Sequence, residues 1–289
     1  MRRSIIGLAL LVYVIATLWT HISHGIFWDV MPRFALIGAV AMVFMAGVFS
    51  VAQRLRRFDV IDVAWGWVFI VIAIASYLMQ HGRMFELDIQ LLVTLMVIIW
   101  GLRLSIHIGQ RFVRRSSEDA RYIELRKGWK GDVDTQIFWR IYIVQAVLAL
   151  IVMIPVIHIN LLGHAGWNVA TIIGFIMWCV GFVFEIAADY QLAQFSKNTA
   201  NKNQIIQTGL WRYSRHPNYF GEIVLWWGIS MICFGTQFGW VGVIGPALLS
   251  YLIIYVSGIP PSEKQAAKRD GWQAYKRRTN VLIPFPPRS

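Results

Sequence analysis

The stretch "TGLWRYSRHPNYFGEIVLWWG" (residues 208–228) decides how the chain must be read. Its first half is basic and rich in hydrogen-bonding groups: Arg212, Tyr213, Ser214, Arg215, His216, Asn218 and Tyr219. Its second half is apolar enough for lipid and is entered through Glu222. A polar mouth on a lipid-grade helix places a working surface at a membrane boundary rather than in a soluble core.

The rest of the chain agrees with that setting. Of 289 residues, 57% are hydrophobic, and several runs approach the roughly 20 residues that cross a bilayer. Eight apolar segments fall near residues 4–22, 34–51, 60–79, 89–108, 137–157, 168–188, 220–234 and 240–258. Backbone groups in lipid must be paired within their own segment, so these segments are helices. The expected fold class is an all-α polytopic membrane bundle of seven to eight transmembrane helices. The alternative to eight spans is seven plus one interfacial helix. The start, "MRRSIIGLALLVYVIATLW" (residues 1–19), resembles a secretory signal, but no small-x-small cleavage site follows; it is read as a retained first helix.

Charge placement sets the orientation. With a cytoplasmic N-terminus, Arg2, Arg3, Arg54, Arg56, Arg57, the cluster at 111–130, Lys197, Lys202, Arg212, Arg215 and the basic tail at 264–288 all lie inside. Only Arg33 and Arg83 lie outside, so the positive-inside rule favours both termini in the cytoplasm. The same asymmetry accounts for the net charge of +12 without a nucleic-acid partner. Cys179 and Cys233 sit inside apolar runs and read as small core residues, and no His/Cys set has metal-ligand spacing. With no repeat and no linker, residues 1–289 are expected to form one membrane domain: N-terminal helices to 55, then a core at 56–289.

The long polar segments, 110–136, 189–219 and 260–289, share the inner face and would form a lid there. Ionisable groups near the inner helix ends need partners or a task. Asp59 and Asp62 open the third segment, with Trp65 following; Arg103 and His107, Glu185 and Asp189, and Asn218 and Glu222 are each spaced i, i+4 and share a helix face. Asp62 and Arg103 suit an interhelical ion pair, and the basic loops suit anionic lipid headgroups. Convergence of these groups also describes a polar cavity. In the loop "QRFVRRSSEDARYIELRKGWK" (residues 110–130), Arg111, Arg114, Arg115 and Arg121 match phosphate oxygens, while Glu118 and Asp119 can accept from ribose hydroxyls. Tyr122, Trp211, Tyr213, Tyr219 and Trp272 can cover a flat ring. This inventory fits a nucleotide with several phosphates, although neither a Rossmann nor a P-loop motif occurs.

The pieces "DVAWG" (62–66), "GLRLSIHIGQR" (101–111), "EDARY" (118–122), "GLWRYSRHPNYFGE" (209–222) and "GWQAYKRRTNVLIPF" (271–285) stand in order along the chain. Together they resemble the membrane steroid 5-alpha-reductase family, and most closely its bacterial branch, over about residues 55–287. The resemblance implies a bacterial inner-membrane enzyme that holds NADPH on the cytoplasmic side. It would reduce the conjugated C=C bond of a lipophilic enone, typically a 3-oxo-4-ene steroid, admitted from the bilayer. It carries cofactor roles to Asn218, Glu222, Asp189, Tyr275, Arg111 and Arg114. The polar groups beside them, Arg121, Tyr122, Tyr213, Arg215, His216 and Tyr219, join that candidate set. The family's ketone-binding Glu falls near Asp59 or Asp62 and its Tyr near Trp100, a departure that leaves the proton donor to be found among Asp62, His107 and Trp65. Asp62 is favoured, because a neutral carboxyl in an apolar site can donate. "RHPNY" is also similar to integral-membrane methyltransferases that use S-adenosylmethionine, with Glu263 as their late acid. A lipid-binding or transport protein is the third alternative.

Overall fold

A computed structural model describes residues 26–80, 88–162 and 166–288. Every long element in them is helical, and the only β-type pairing among the described residues is an isolated parallel bridge between Ser214 and Asn280. The fold is an all-α polytopic membrane bundle. Among the described residues six helical stretches are long and apolar enough to cross a bilayer: Val30–Leu55, Val60–Met79, Ile89–Arg114, Val133–Val152, Val169–Lys197 and Gly239–Ala266. The expected first span, 4–22, lies outside the described residues. The expected span at 220–234 forms as a helix, but Asn218 and Glu222 in its first turns make it less apolar than the six.

The chain divides into two compact units. In the first, α1 (Ile26–Leu55), α2 (Val60–Gln80) and α3 (Ile89–Arg114) are followed by the short α4 (Ala120–Arg126), then α5 (Val133–Val152) and α6 (Ile154–Leu162). Asp88 caps α3 by accepting from the Leu91 N–H at 2.7 Å. The expected helix over 137–157 breaks at Met153, because Pro155 offers no N–H and its ring crowds the carbonyl a turn earlier. Helices α2 and α3 meet backbone to backbone at Gly66 and Gly101: a Cβ on Gly101 would lie 2.7 Å from the Gly66 carbonyl oxygen. Asn160 on α6 donates to Ser76 (2.8 Å) and Thr94 (3.2 Å), tying three helices through a buried polar knot.

In the second unit, α7 (Val169–Lys197) packs antiparallel on α8 (Pro217–Phe234). Asn168 caps α7, and Pro217 fills the first helical position of α8, where a missing N–H costs nothing. Two glycine pairs set the separation, Gly174 with Gly228 and Gly181 with Gly221. Next come α9 (Ile244–Tyr251), which runs on through a π turn at Leu252–Val256, then α10 (Ile259–Ala266) and α11 (Trp272–Arg278).

Candidate functional site

In the first unit, the head of α2 and the 110–136 loop are bonded through their charges. Asp59, buried, accepts from Arg57 (3.1 and 3.2 Å) and from the Asp119 backbone N–H (3.1 Å). Asp62 accepts from the Tyr122 hydroxyl at 2.5 Å and from Arg121 at 2.7 Å. Glu118 takes both ends of Arg126 (2.8 and 2.5 Å) and the Phe58 N–H. Asp119 is bonded by Arg115 and Arg121. Of the groups read from sequence as ribose and phosphate ligands, Glu118, Asp119, Arg115 and Arg121 are therefore bonded within the protein here. Desolvation raises the Asp119 carboxyl, but the Arg121 and Arg115 guanidinium groups win and hold it well below the usual carboxylate range. Burial, reinforced by the Asp62 charge, pushes the Tyr122 phenol well above its ordinary value.

Around this knot the other candidates lie on the same helices. Trp65 packs edge-on against Phe69 at 5.1 Å, and Phe69 against the buried Trp100 at 5.2 Å, forming an apolar floor three residues beyond Asp62. His107 and Arg103 are half-buried on α3, while Arg111 and Arg114 stand exposed in its last turn. Three members of the knot escaped the sequence reading as structural partners: Arg57, Glu118 and Arg126. The alternating signs along 115–126 were the available signal.

In the second unit, the glycine contacts bring two polar helix faces together. Asn218 donates its amide to Asp189 at 3.1 Å, its amide oxygen is buried with no donor among the described residues, and Glu222 lies one turn further along α8. Glu185, 3% exposed, sits one turn before Asp189 on α7. Next to them the "RYSRHP" segment is fastened to the tail. Arg215 donates to Glu263 (2.8 Å) and to the carbonyls of Thr279 (2.6 Å) and Lys276 (3.1 Å). Tyr275 donates to the Trp211 carbonyl at 2.6 Å, and the Ser214 hydroxyl to that of Leu282 at 2.7 Å. The Tyr219 hydroxyl meets Ser262 at 3.2 Å, and its ring stacks on His216 at 5.4 Å. Burial pushes the His216 imidazole down to about 4, against the pull of Glu263 at 3.6 Å. Tyr213 is exposed. Of the sequence-named residues in this unit, Asp189, Asn218 and Glu222 share one constellation. Arg215 and Tyr275 spend their donors on protein carbonyls and Glu263.

No group of three or more potential metal ligands occurs among the described residues. An acceptor sealed from water with no donor, as in Asn218, fits the amide N–H of a nicotinamide, and the exposed Arg111 and Arg114 suit phosphate oxygens.

With this geometry in view, the class is clear: a helical integral-membrane protein with polar constellations at its helix ends. The chain belongs to the family described as "Protein of unknown function (DUF1295)", whose model matches residues 48–279. It is also similar to named enzymes. Over 114 residues it is 29% identical to the rat protein (Rattus norvegicus) called 3-oxo-5-alpha-steroid 4-dehydrogenase 1, covering 39% of this chain and 40% of that one. The mouse protein (Mus musculus) of that name is 30% identical over 112 residues, 39% of this chain and 41% of its own. For the human protein (Homo sapiens) the identity is 27% over 114 residues, with coverage of 39% and 41%. The chain thus matches about two fifths of the length of these relatives. No solved structure matches it.

Proposed function

We propose that the protein is an NADPH-dependent oxidoreductase of the membrane that reduces a conjugated C=C bond in a lipophilic, steroid-like enone. The observation that carries this reading is the Asp189–Asn218–Glu222 constellation, with its buried acceptor lacking a donor, in a chain similar to proteins named for a steroid 4-dehydrogenase. Asn218, Asp189 and Glu222 would hold the nicotinamide end of the cofactor on the cytoplasmic face. When bound, NADPH supplies the hydride.

The chain's own residues have three tasks. Glu222 and Asn218 orient the cofactor. Trp65, Phe69 and Trp100 offer an apolar wall that excludes water. Asp62, which accepts from Tyr122 and Arg121, would manage a proton, and His107 is the second candidate. Negative charge grows on the ketone oxygen as the C=C bond is reduced, and a donor aimed there lowers the barrier. Asp59, bonded to Arg57 and the Asp119 N–H, would have a positioning role for the loop that carries Arg121 and Tyr122. The methyltransferase reading gains no support from Glu263, whose carboxylate is engaged by Arg215 and, at 3.7 Å, Lys276.

The test is NADPH titration with enone turnover in the purified protein. Glu222→Gln is expected to weaken NADPH binding about tenfold or more, the loss of one charge-assisted hydrogen bond. Asp62→Asn is expected to lower turnover with NADPH affinity near wild type. Binding of S-adenosylmethionine but not NADPH would overturn the proposal.

A further inference from the structure

Helix α4 and the first half of α5 line a cleft of about 330 Å³, of which the reductase reading uses only Arg121 and Tyr122. Its polar rim is Arg121, Arg140 and Gln145; its floor is Leu125, Ile141 and Val144. Tyr122 forms the back wall.

Three features identify what fits. First, Arg140 is exposed and has no carboxylate within ion-pair distance among the described residues; its guanidinium is steadied over the Trp129 ring, 4.9 Å from the centroid. Arg121 adds a second positive group, 56% exposed even though it bonds Asp62 and Asp119. Second, the floor belongs to a span, Val133–Val152, so an apolar chain leaving the cleft along α5 stays in lipid. Third, Phe138–Ile143 is a π turn, a widened turn that often marks a ligand site, and Arg140 is in it. Two guanidinium groups and an amide over an apolar floor match a phosphodiester, an ester carbonyl and the first methylenes of an acyl chain.

We infer that this cleft binds one anionic phospholipid from the leaflet that the 110–136 loop faces. A zwitterionic lipid would bring its ammonium against Arg121 and Arg140 and is disfavoured. The bound phosphate shares the Arg121 guanidinium with Asp62, so the lipid and the acidic knot are coupled through one side chain. The lipid contacts at Arg140, Gln145 and the apolar floor do not depend on the reductase reading.

The test uses the full chain, purified in detergent and mixed with phosphatidylglycerol and phosphatidylcholine of equal chain length, followed by native mass spectrometry. Wild type is expected to retain one phosphatidylglycerol in preference to phosphatidylcholine. Arg140→Gln should lower that retention about tenfold, as expected for one lost charged contact. Val144→Trp, which fills the floor and keeps both charges, should lower it as well. Arg54→Gln, an exposed arginine at the end of α1, should leave it unchanged. Retention in Arg140→Gln equal to wild type, or equal retention of the two lipids, overturns the inference. Displacement of the lipid by millimolar inorganic phosphate assigns the cleft to free phosphate and overturns it too, and displacement by NADPH assigns it to the cofactor with the same result.

Discussion

Replacing Gly181 with alanine tests how the second unit positions its polar groups. A Cβ there would lie 2.5 Å from the Gly221 carbonyl oxygen and 2.5 Å from the Leu225 backbone nitrogen. Ordinary contact begins at 3.4 Å, so α7 and α8 must part by the difference, 3.4 − 2.5, about 0.9 Å. The obstructing atoms are backbone and cannot swing aside. Overpacking of this kind costs about 1–3 kcal/mol, and the backbone clash belongs at the upper end; the better helix propensity of alanine returns up to about 1 kcal/mol. The net expectation is a loss of about 2 kcal/mol. Gly47→Ala is the matched control, because Gly47 lies within α1 with nothing inside 4 Å of its would-be Cβ and should be neutral or gain up to about 1 kcal/mol. At roughly 2–4 °C per kcal/mol, the two variants should differ by about 4–12 °C in melting midpoint at one scan rate. The melt can be followed by thiol labelling of the buried Cys233. Parting the helices also stretches the 3.1 Å Asn218–Asp189 hydrogen bond beyond bonding range, so under the proposed function NADPH binding should weaken in Gly181→Ala alone. If the two variants melt together, the glycine contact does not set the helix separation.

Two further outcomes follow from the site geometry. Arg126→Gln leaves the Glu118 carboxylate, 6% exposed, without its charged partner; a loss approaching 3 kcal/mol is expected, and Glu118→Met with Arg126→Met should recover most of it in the same melt. His216 is buried neutral, with its pKa pushed down from 6.5 to about 4. The unfolded chain therefore binds the proton first. Stability from this group is complete above pH 6.5 and falls as pH drops towards 4, by up to about 3 kcal/mol. A melt series from pH 7.5 to 4.5 should slope less in His216→Gln than in wild type; equal slopes would show that the histidine is not held neutral.

Much of the architecture was legible because lipid leaves so few backbone solutions. The spans at 34–51, 60–79 and 89–108 sit within α1, α2 and α3, and that at 168–188 matches α7 with Asn168 as its cap; the break after α5 at Pro155 was not read from the apolar run at 137–157. The glycines at 174, 181, 221 and 228, each pair seven residues apart, were a readable sign of close helix approach that the apolar pattern overshadowed. The grouping of Asp189 with Asn218 needed only the i, i+4 faces and this contact. The acidic knot was harder. Asp59 finds the Asp119 N–H, and Asp62 finds Tyr122, each across 60 residues, and nothing local in the chain signals such pairing. Charges in a loop look alike from sequence whether they will meet a ligand or one another. Tyr275 and Arg215 illustrate the same ambiguity, since both satisfy backbone carbonyls that only tertiary folding brings within reach.

The fastening of "RYSRHP" to the tail has a temporal side. Ser214 and its partner Leu282 are separated by 68 residues, which a ribosome takes roughly 3–14 s to add at about 5–20 residues per second. Within that synthesis Arg215 waits 48 residues for Glu263, and the carbonyl of Trp211 waits 64 residues for Tyr275. The loop at the mouth of α8 thus emerges unfinished, and its conformation is completed only when later-made chain arrives to lock it.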